Sequence, residues 1–134
     1  APNIEDHLQI SRVIRLLQSV ASERRTMFIA AADLAHVGPV FGDAELMPKD
    51  SEGRQRIQAD DEVLLEAITQ GSRNRFFEAI KDNGDRNKIC GLAPIYMTLW
   101  AADATIGTSS GYQQCQADED DTSFVSIVGA ALFG

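Results

Sequence analysis

Asp33, His36 and Cys90 are the residues of this sequence whose types and surroundings invite chemistry. Asp33-Leu34-Ala35-His36 sets a carboxylate beside an imidazole. In such a pair the acid orients or charges the ring, and the histidine moves protons near neutral pH. Cys90 stands before Gly91 at the start of a helical pattern. The positive end of that helix and the nearby Lys88 both favour the thiolate, the form that binds metals and attacks electrophiles. Each residue also has a plainer reading. Asp33 caps a turn, His36 is an ordinary loop histidine, and Cys90 packs as a small hydrophobe. Taken alone, an Asp-x-x-His spacing and a lone cysteine favour the plainer readings.

Other features carry less. Asp118-Glu119-Asp120-Asp121 lacks the spaced ligands and glycine of a calcium loop and reads as a solvated acidic turn. His7 lies at a helix start and faces solvent. Cys115 sits among Gln113, Gln114 and Gln116 with no metal-ligand spacing, so it is assigned no chemistry. Tyr96 and Trp100 share a helix with Leu99 and read as core. The glycines are scattered and form no phosphate loop.

The elements that must position these groups follow from hydrophobic periodicity. Ile10, Val13, Ile14, Leu17 and Ala21 mark one face of a helix over residues 7–24, with Asn3 and Asp6 as candidate caps. The unbroken apolar run over residues 26–32 reads as a strand covered on both faces, which predicts a parallel sheet. Gly38-Pro39 and Gly42 make residues 33–42 a loop. After a polar segment over residues 48–56, helices are expected over 60–70, burying Val63, Leu64, Ala67 and Ile68, and over 72–81, burying Phe76, Phe77 and Ile80. Pro94 suits the first turn of a further helix running toward Thr105. Two strand candidates close the chain, over 111–117 and 122–133, joined by the acidic turn. In open α/β sheets ligands bind beyond the carboxyl ends of strands, which is where Asp33 and His36 fall relative to the run ending at Ala32.

Composition bounds the rest. A chain of 134 residues, 44% hydrophobic and 24% charged, can bury one core unaided, so a single domain over 1–134 is expected. A net charge of −8 repels nucleic-acid phosphates and anionic lipid, which argues against a nucleic-acid or membrane-surface role. The two cysteines form no disulfide framework, no apolar run approaches a membrane span, and the first residues lack a signal-peptide pattern. A cytoplasmic protein is the expectation. The absence of an initiator methionine adds the expectation of a segment of something longer.

Two segments together resemble the Memo-like family, the type that includes the AmmeMemoRadiSam system protein B. They are Ala31-Ala32-Asp33-Leu34-Ala35-His36-Val37-Gly38-Pro39-Val40-Phe41-Gly42-Asp43 and Lys88-Ile89-Cys90-Gly91-Leu92-Ala93-Pro94-Ile95-Tyr96. The similarity extends to residues 122–132. It implies an α/β fold, a mixed sheet with helices on both faces, like the C-terminal half of class III extradiol dioxygenases, which open catechol rings with non-haem iron(II) and dioxygen. The family's own reaction is not settled. By resemblance, His36 falls where those enzymes keep an acid/base histidine, with Asp33 in the same motif, and Cys90 falls where they place the carboxylate metal ligand. Iron(II) is the implied metal, and a cysteine in the carboxylate's place adds copper(I) and zinc as alternatives. The family's two completing histidines belong to an N-terminal half that this sequence does not include. A pocket with one side here therefore implies a partner, either that half or a self-associated copy, and an unknown small molecule or peptide as ligand. The alternative is a scaffold protein that holds a metal or a peptide without turning it over.

Overall fold

The computed structural model describes residues 7–134. Its elements run α1 (Leu8–Glu23), β1 (His36–Val37), a 3-10 turn (Pro39–Phe41), α2 (Glu52–Thr69), α3 (Arg73–Asp82), α4 (Leu92–Ala102), β2 (Ile106–Gln116) and β3 (Phe124–Phe133). Four helices and a three-stranded sheet make the chain α/β.

The sheet order is β1-β3-β2, and every pairing is antiparallel. The expected parallel pairing is therefore corrected. A short turn at residues 118–121 joins β2 to β3, and a connection that short permits only an antiparallel pair. β2 also begins earlier than its sequence pattern suggests. Residues 106–109 alternate poorly but pair with residues 130–133 across the hairpin, with Ser110 bulged out of the register.

The strand expected over residues 26–32 does not form. That run is extended but unpaired, with Met27 82% and Ile29 77% exposed. An apolar run becomes a buried strand only when neighbours supply backbone partners and cover its faces. Among the described residues no backbone pairs with it, and only Ala30 and Ala32 pack against the core. Pairing starts instead at Leu34, inside the stretch expected to be a loop, and leads into the short β1.

α1 forms where its periodicity places it, yet Ile14 is its one buried residue. Val13, Leu16, Leu17 and Val20 are all open to solvent. The helix lies on α4, where Gln18 Nε2 donates to the Trp100 carbonyl at 2.9 Å. Asn3 and Asp6, the candidate caps, lie outside the described residues. His7 occupies the N-cap position, exposed and without a capping bond.

α2 is longer than its apolar pattern, starting at Glu52 because the Ser51 hydroxyl accepts from the Arg54 amide at 3.2 Å. It is the helix laid across β2 and β3. Ser72 caps α3 in the same way. α4 is apolar on nearly all sides, as a helix inside a core must be, and buries Ile95, Tyr96, Leu99 and Ala101. Phe76, Tyr96 and Phe124 are the largest fully buried side chains and join α3, α4 and β3 in one core. Val63 is exposed, whereas Leu64, Ala67 and Ile68 are buried as expected.

Candidate functional site

Ser126 of β3 holds the dipeptide between Asp33 and His36 by three hydrogen bonds. Its carbonyl accepts from the Leu34 amide at 2.9 Å, its amide donates to the Ala35 carbonyl at 3.0 Å, and its hydroxyl accepts from the Ala35 amide at 2.9 Å. His36 then pairs opposite Val125, and its amide donates to the Asn87 carbonyl at 2.9 Å. Both sides of the chain carrying His36 are thus fixed.

The imidazole Nδ1 lies 3.1 Å from the Leu34 carbonyl oxygen. A carbonyl only accepts, so this contact needs the proton on Nδ1, and in the neutral ring the lone pair then lies on Nε2. The ring meets Phe41 edge to face, with centroids 5.2 Å apart. Asp33 was expected to orient the histidine, but the Leu34 carbonyl does so. No hydrogen bond or ion pair engages the Asp33 carboxylate or His36 Nε2 among the described residues.

Cys90 immediately precedes Gly91, the N-cap residue of α4. The Gly91 amide donates to the Asp33 carbonyl at 2.9 Å, and the Cys90 thiol approaches the same oxygen at 3.8 Å. A Cβ on Gly91 would collide with that carbonyl, which is why glycine stands there. The thiol is exposed. Lys88 does not serve it as expected, because its ammonium pairs with Asp43 Oδ1 at 2.6 Å. Asp43 Oδ2 in turn accepts from the Gly38 amide at 2.8 Å. Burial pushes the Asp43 carboxyl up, but Lys88 and Gly38 outweigh it and hold it below its ordinary value. This bridge joins the two sequence motifs on a second side.

One ligand atom from each of Asp33, His36 and Cys90 lies within 4.8 Å of the other two. Donors bound to one metal at roughly 2.0–2.3 Å stand about 3.5 Å apart in a tetrahedron. Side-chain rotation of about 1 Å would bring sulfur, nitrogen and oxygen to that spacing. A thiolate is a ligand for zinc, copper(I) or iron, and the imidazole and carboxylate stand close enough to act on a group bound beside it. The chemistry of the donor set fits a metal.

Ser126, Asn87 and Asp43 were not singled out in the sequence. Nothing local marks Ser126 or Asn87, whereas Asp43 closes the first motif. The discounted features stay apart from the site. Asp118 accepts from the Thr122 amide and hydroxyl, Asp121 pairs with Arg54, and Cys115 is half-buried and free. No helix of the described residues is long and apolar enough to cross a membrane.

No curated protein matches this chain in sequence. The family model described as Memo-like protein matches residues 4–131, a span that holds both motifs of the site and every element just described except the end of β3. The chain belongs to the Memo-like family.

Proposed function

We propose that this chain supplies one side of a metal-binding pocket similar to that of non-haem iron extradiol dioxygenases. Cys90 ligates the metal, and His36, beside Asp33, handles protons at the group bound there. The observation that carries this reading is the convergence of Asp33, His36 and Cys90 within 4.8 Å, with no competing partner on the carboxylate or on Nε2 among the described residues. A bound metal would supply Lewis acidity, or redox chemistry if it is iron or copper. The chain itself contributes a thiolate anchor, a histidine fixed in one tautomer, and a carboxylate that adds negative charge.

The test is anaerobic titration with iron(II), copper(I) and zinc, of the wild type and of Cys90→Ala and His36→Ala. Loss of metal in Cys90→Ala with retention in His36→Ala supports the assignment. Retention in Cys90→Ala overturns it. Ring-opened product from a catechol on admitting oxygen, dependent on Cys90, would make the protein an enzyme of the dioxygenase type.

A scaffold reading is favoured by a different feature. A groove of about 920 Å³ lies between the unpaired run 26–32 and the far half of β3, lined by Met27, Phe28, Ile29, Val128 and Leu132 among others. An open backbone edge beside apolar walls suits an added strand. In the enzymatic reading the same surface is covered by the family's N-terminal half, carrying the remaining ligands, or by a second copy. Sedimentation of the chain alone and with that half added separates these occupants.

A further inference from the structure

We propose that the ion pair of Asp43 with Lys88 is a positioning brace that sets the Cys90 thiol against His36. The inference deepens the proposed function and rests on the reading that Cys90 and His36 share one metal-binding pocket. Lys88 stands two residues before Cys90 with φ at +51°, in the left-handed region that lysine rarely adopts. Glycine or asparagine would suit that backbone better. The turn itself is closed without the lysine side chain. The Lys88 amide donates to the Asp85 carbonyl at 3.0 Å, and the Ile89 amide donates to Asp85 Oδ1 at 2.8 Å. What lysine adds at this place is its ammonium, 2.6 Å from Asp43 Oδ1.

Asp43 belongs to the other motif. Its Oδ2 accepts from the Gly38 amide at 2.8 Å while its own amide donates to the Gly38 carbonyl at 3.3 Å, and the two bonds close residues 38–43 into a ring. That ring carries Phe41, which meets the His36 imidazole edge to face at 5.2 Å. One carboxylate thus grips the wall beside His36 with one oxygen and the approach to Cys90 with the other. Backbone bonds hold the second motif at two points, Asn87 to His36 and Gly91 to Asp33. Among the described residues, the brace is the one ion pair or hydrogen bond that ties residues 88–90 to the first motif, apart from the thiol's own 3.8 Å approach to the Asp33 carbonyl. The two side chains keep 39% and 31% of their surface exposed, where an ion pair contributes little to stability. Its effect lies in geometry. Without the brace the turn is hinged at Asn87 and Gly91 alone, and the thiol is free to swing away from the imidazole.

The experiment reads the nuclear Overhauser contact between the Cys90 β protons and the His36 ring in the metal-free protein, with zinc titration of the same variants in parallel. Lys88→Asn removes the ammonium and keeps a residue suited to the left-handed backbone. Asp43→Asn keeps an acceptor for the Gly38 amide and removes the charge. Each should leave the melting temperature nearly unchanged, weaken the contact and lower zinc affinity by roughly 10–100-fold. The double variant should be no worse than either single one, because the same pair is broken in all three. Lys88→Arg, which keeps the cation, should keep contact and affinity. Arg75→Gln, which removes an exposed pair on α3, should alter neither. An unchanged contact in both Lys88→Asn and Asp43→Asn would overturn the proposal, as would additive losses in the double variant or a lost contact in Arg75→Gln. If one of the two variants fails to fold, the other decides. A wild type that binds no zinc, with the contact still lost in both variants, would end the metal reading and keep the positioning role.

Discussion

The amide of Gly91 donates to the carbonyl oxygen of Asp33 at 2.9 Å, and this bond fastens the start of α4 to the segment that leads into β1. The Cys90 thiol is therefore carried to the Asp33–His36 motif by backbone geometry. Gly91→Ala would press a methyl group onto that carbonyl. The expected cost is about 1–3 kcal/mol of stability by chemical denaturation, accompanied by weaker metal binding. Unchanged metal affinity would mean that the Gly91–Asp33 contact does not set the position of Cys90.

Asp33→Asn separates site from scaffold. The carboxylate has no hydrogen-bonded partner among the described residues, so its neutral isostere should change stability by no more than about 0.5 kcal/mol. Metal affinity should fall by about 10–100-fold if the carboxylate faces the ion. A variant that is destabilised yet binds normally would give Asp33 back to the plain structural role.

Arg54 is the main buried cation. Its guanidinium donates to the Met47 carbonyl at 2.7 Å and to Asp121 Oδ1 at 2.6 Å, and it lies 4.8 Å from the centroid of Phe124. Arg54→Met should cost about 2–4 kcal/mol in thermal or denaturant unfolding, since it leaves a buried carbonyl and a half-buried carboxylate without partners. Arg54→Lys should recover only part, because an ammonium cannot reproduce the planar fork. Full stability in Arg54→Met would show that the pair contributes nothing net.

Asp118 predicts a pH dependence. Hydrogen bonds, first from the Ser123 hydroxyl and then from Thr122, hold its carboxyl down from the ordinary 3.8 to about 2. A carboxyl lowered in the folded state stabilises above its unfolded value, and the gain is lost as pH falls through its folded value. Between 3.8 and about 2, wild-type stability should therefore fall more steeply than that of Asp118→Asn. Parallel curves from acid unfolding scans would show that the turn contributes no linkage.

The exposed side of α1 carries Val13, Leu16, Leu17 and Val20 in helical register. Such a stripe suits docking against another surface, which a double substitution tests. Leu16→Glu combined with Val20→Lys should leave the melting temperature nearly unchanged and abolish any association that sedimentation detects in the wild type. Association that survives would place the contact elsewhere, with the unpaired run 26–32 the next surface to alter.

Local pattern was enough for the helices and for singling out the three residues that the fold brings together. Periodicity fixes α1, α3 and most of α2, because a 3.6-residue apolar stripe is written in consecutive residues. Asp33, His36 and Cys90 stand out by type, and the two motifs that hold them mark the family. What the sequence could not decide depends on partners distant along the chain. Residues 26–32 carry the composition of a buried strand, but pairing requires neighbours that composition does not provide. β1 is a strand only because β3, far along the chain, pairs with it, His36 opposite Val125 and Val37 opposite Phe124. Lys88 looked like a companion for Cys90 until the fold set Asp43 closer to hand. Asp61 shows the boundary most plainly. Its place on an apolar stripe is legible in the sequence, but the Tyr112 hydroxyl that bonds its carboxylate is brought beside it only by the folded chain.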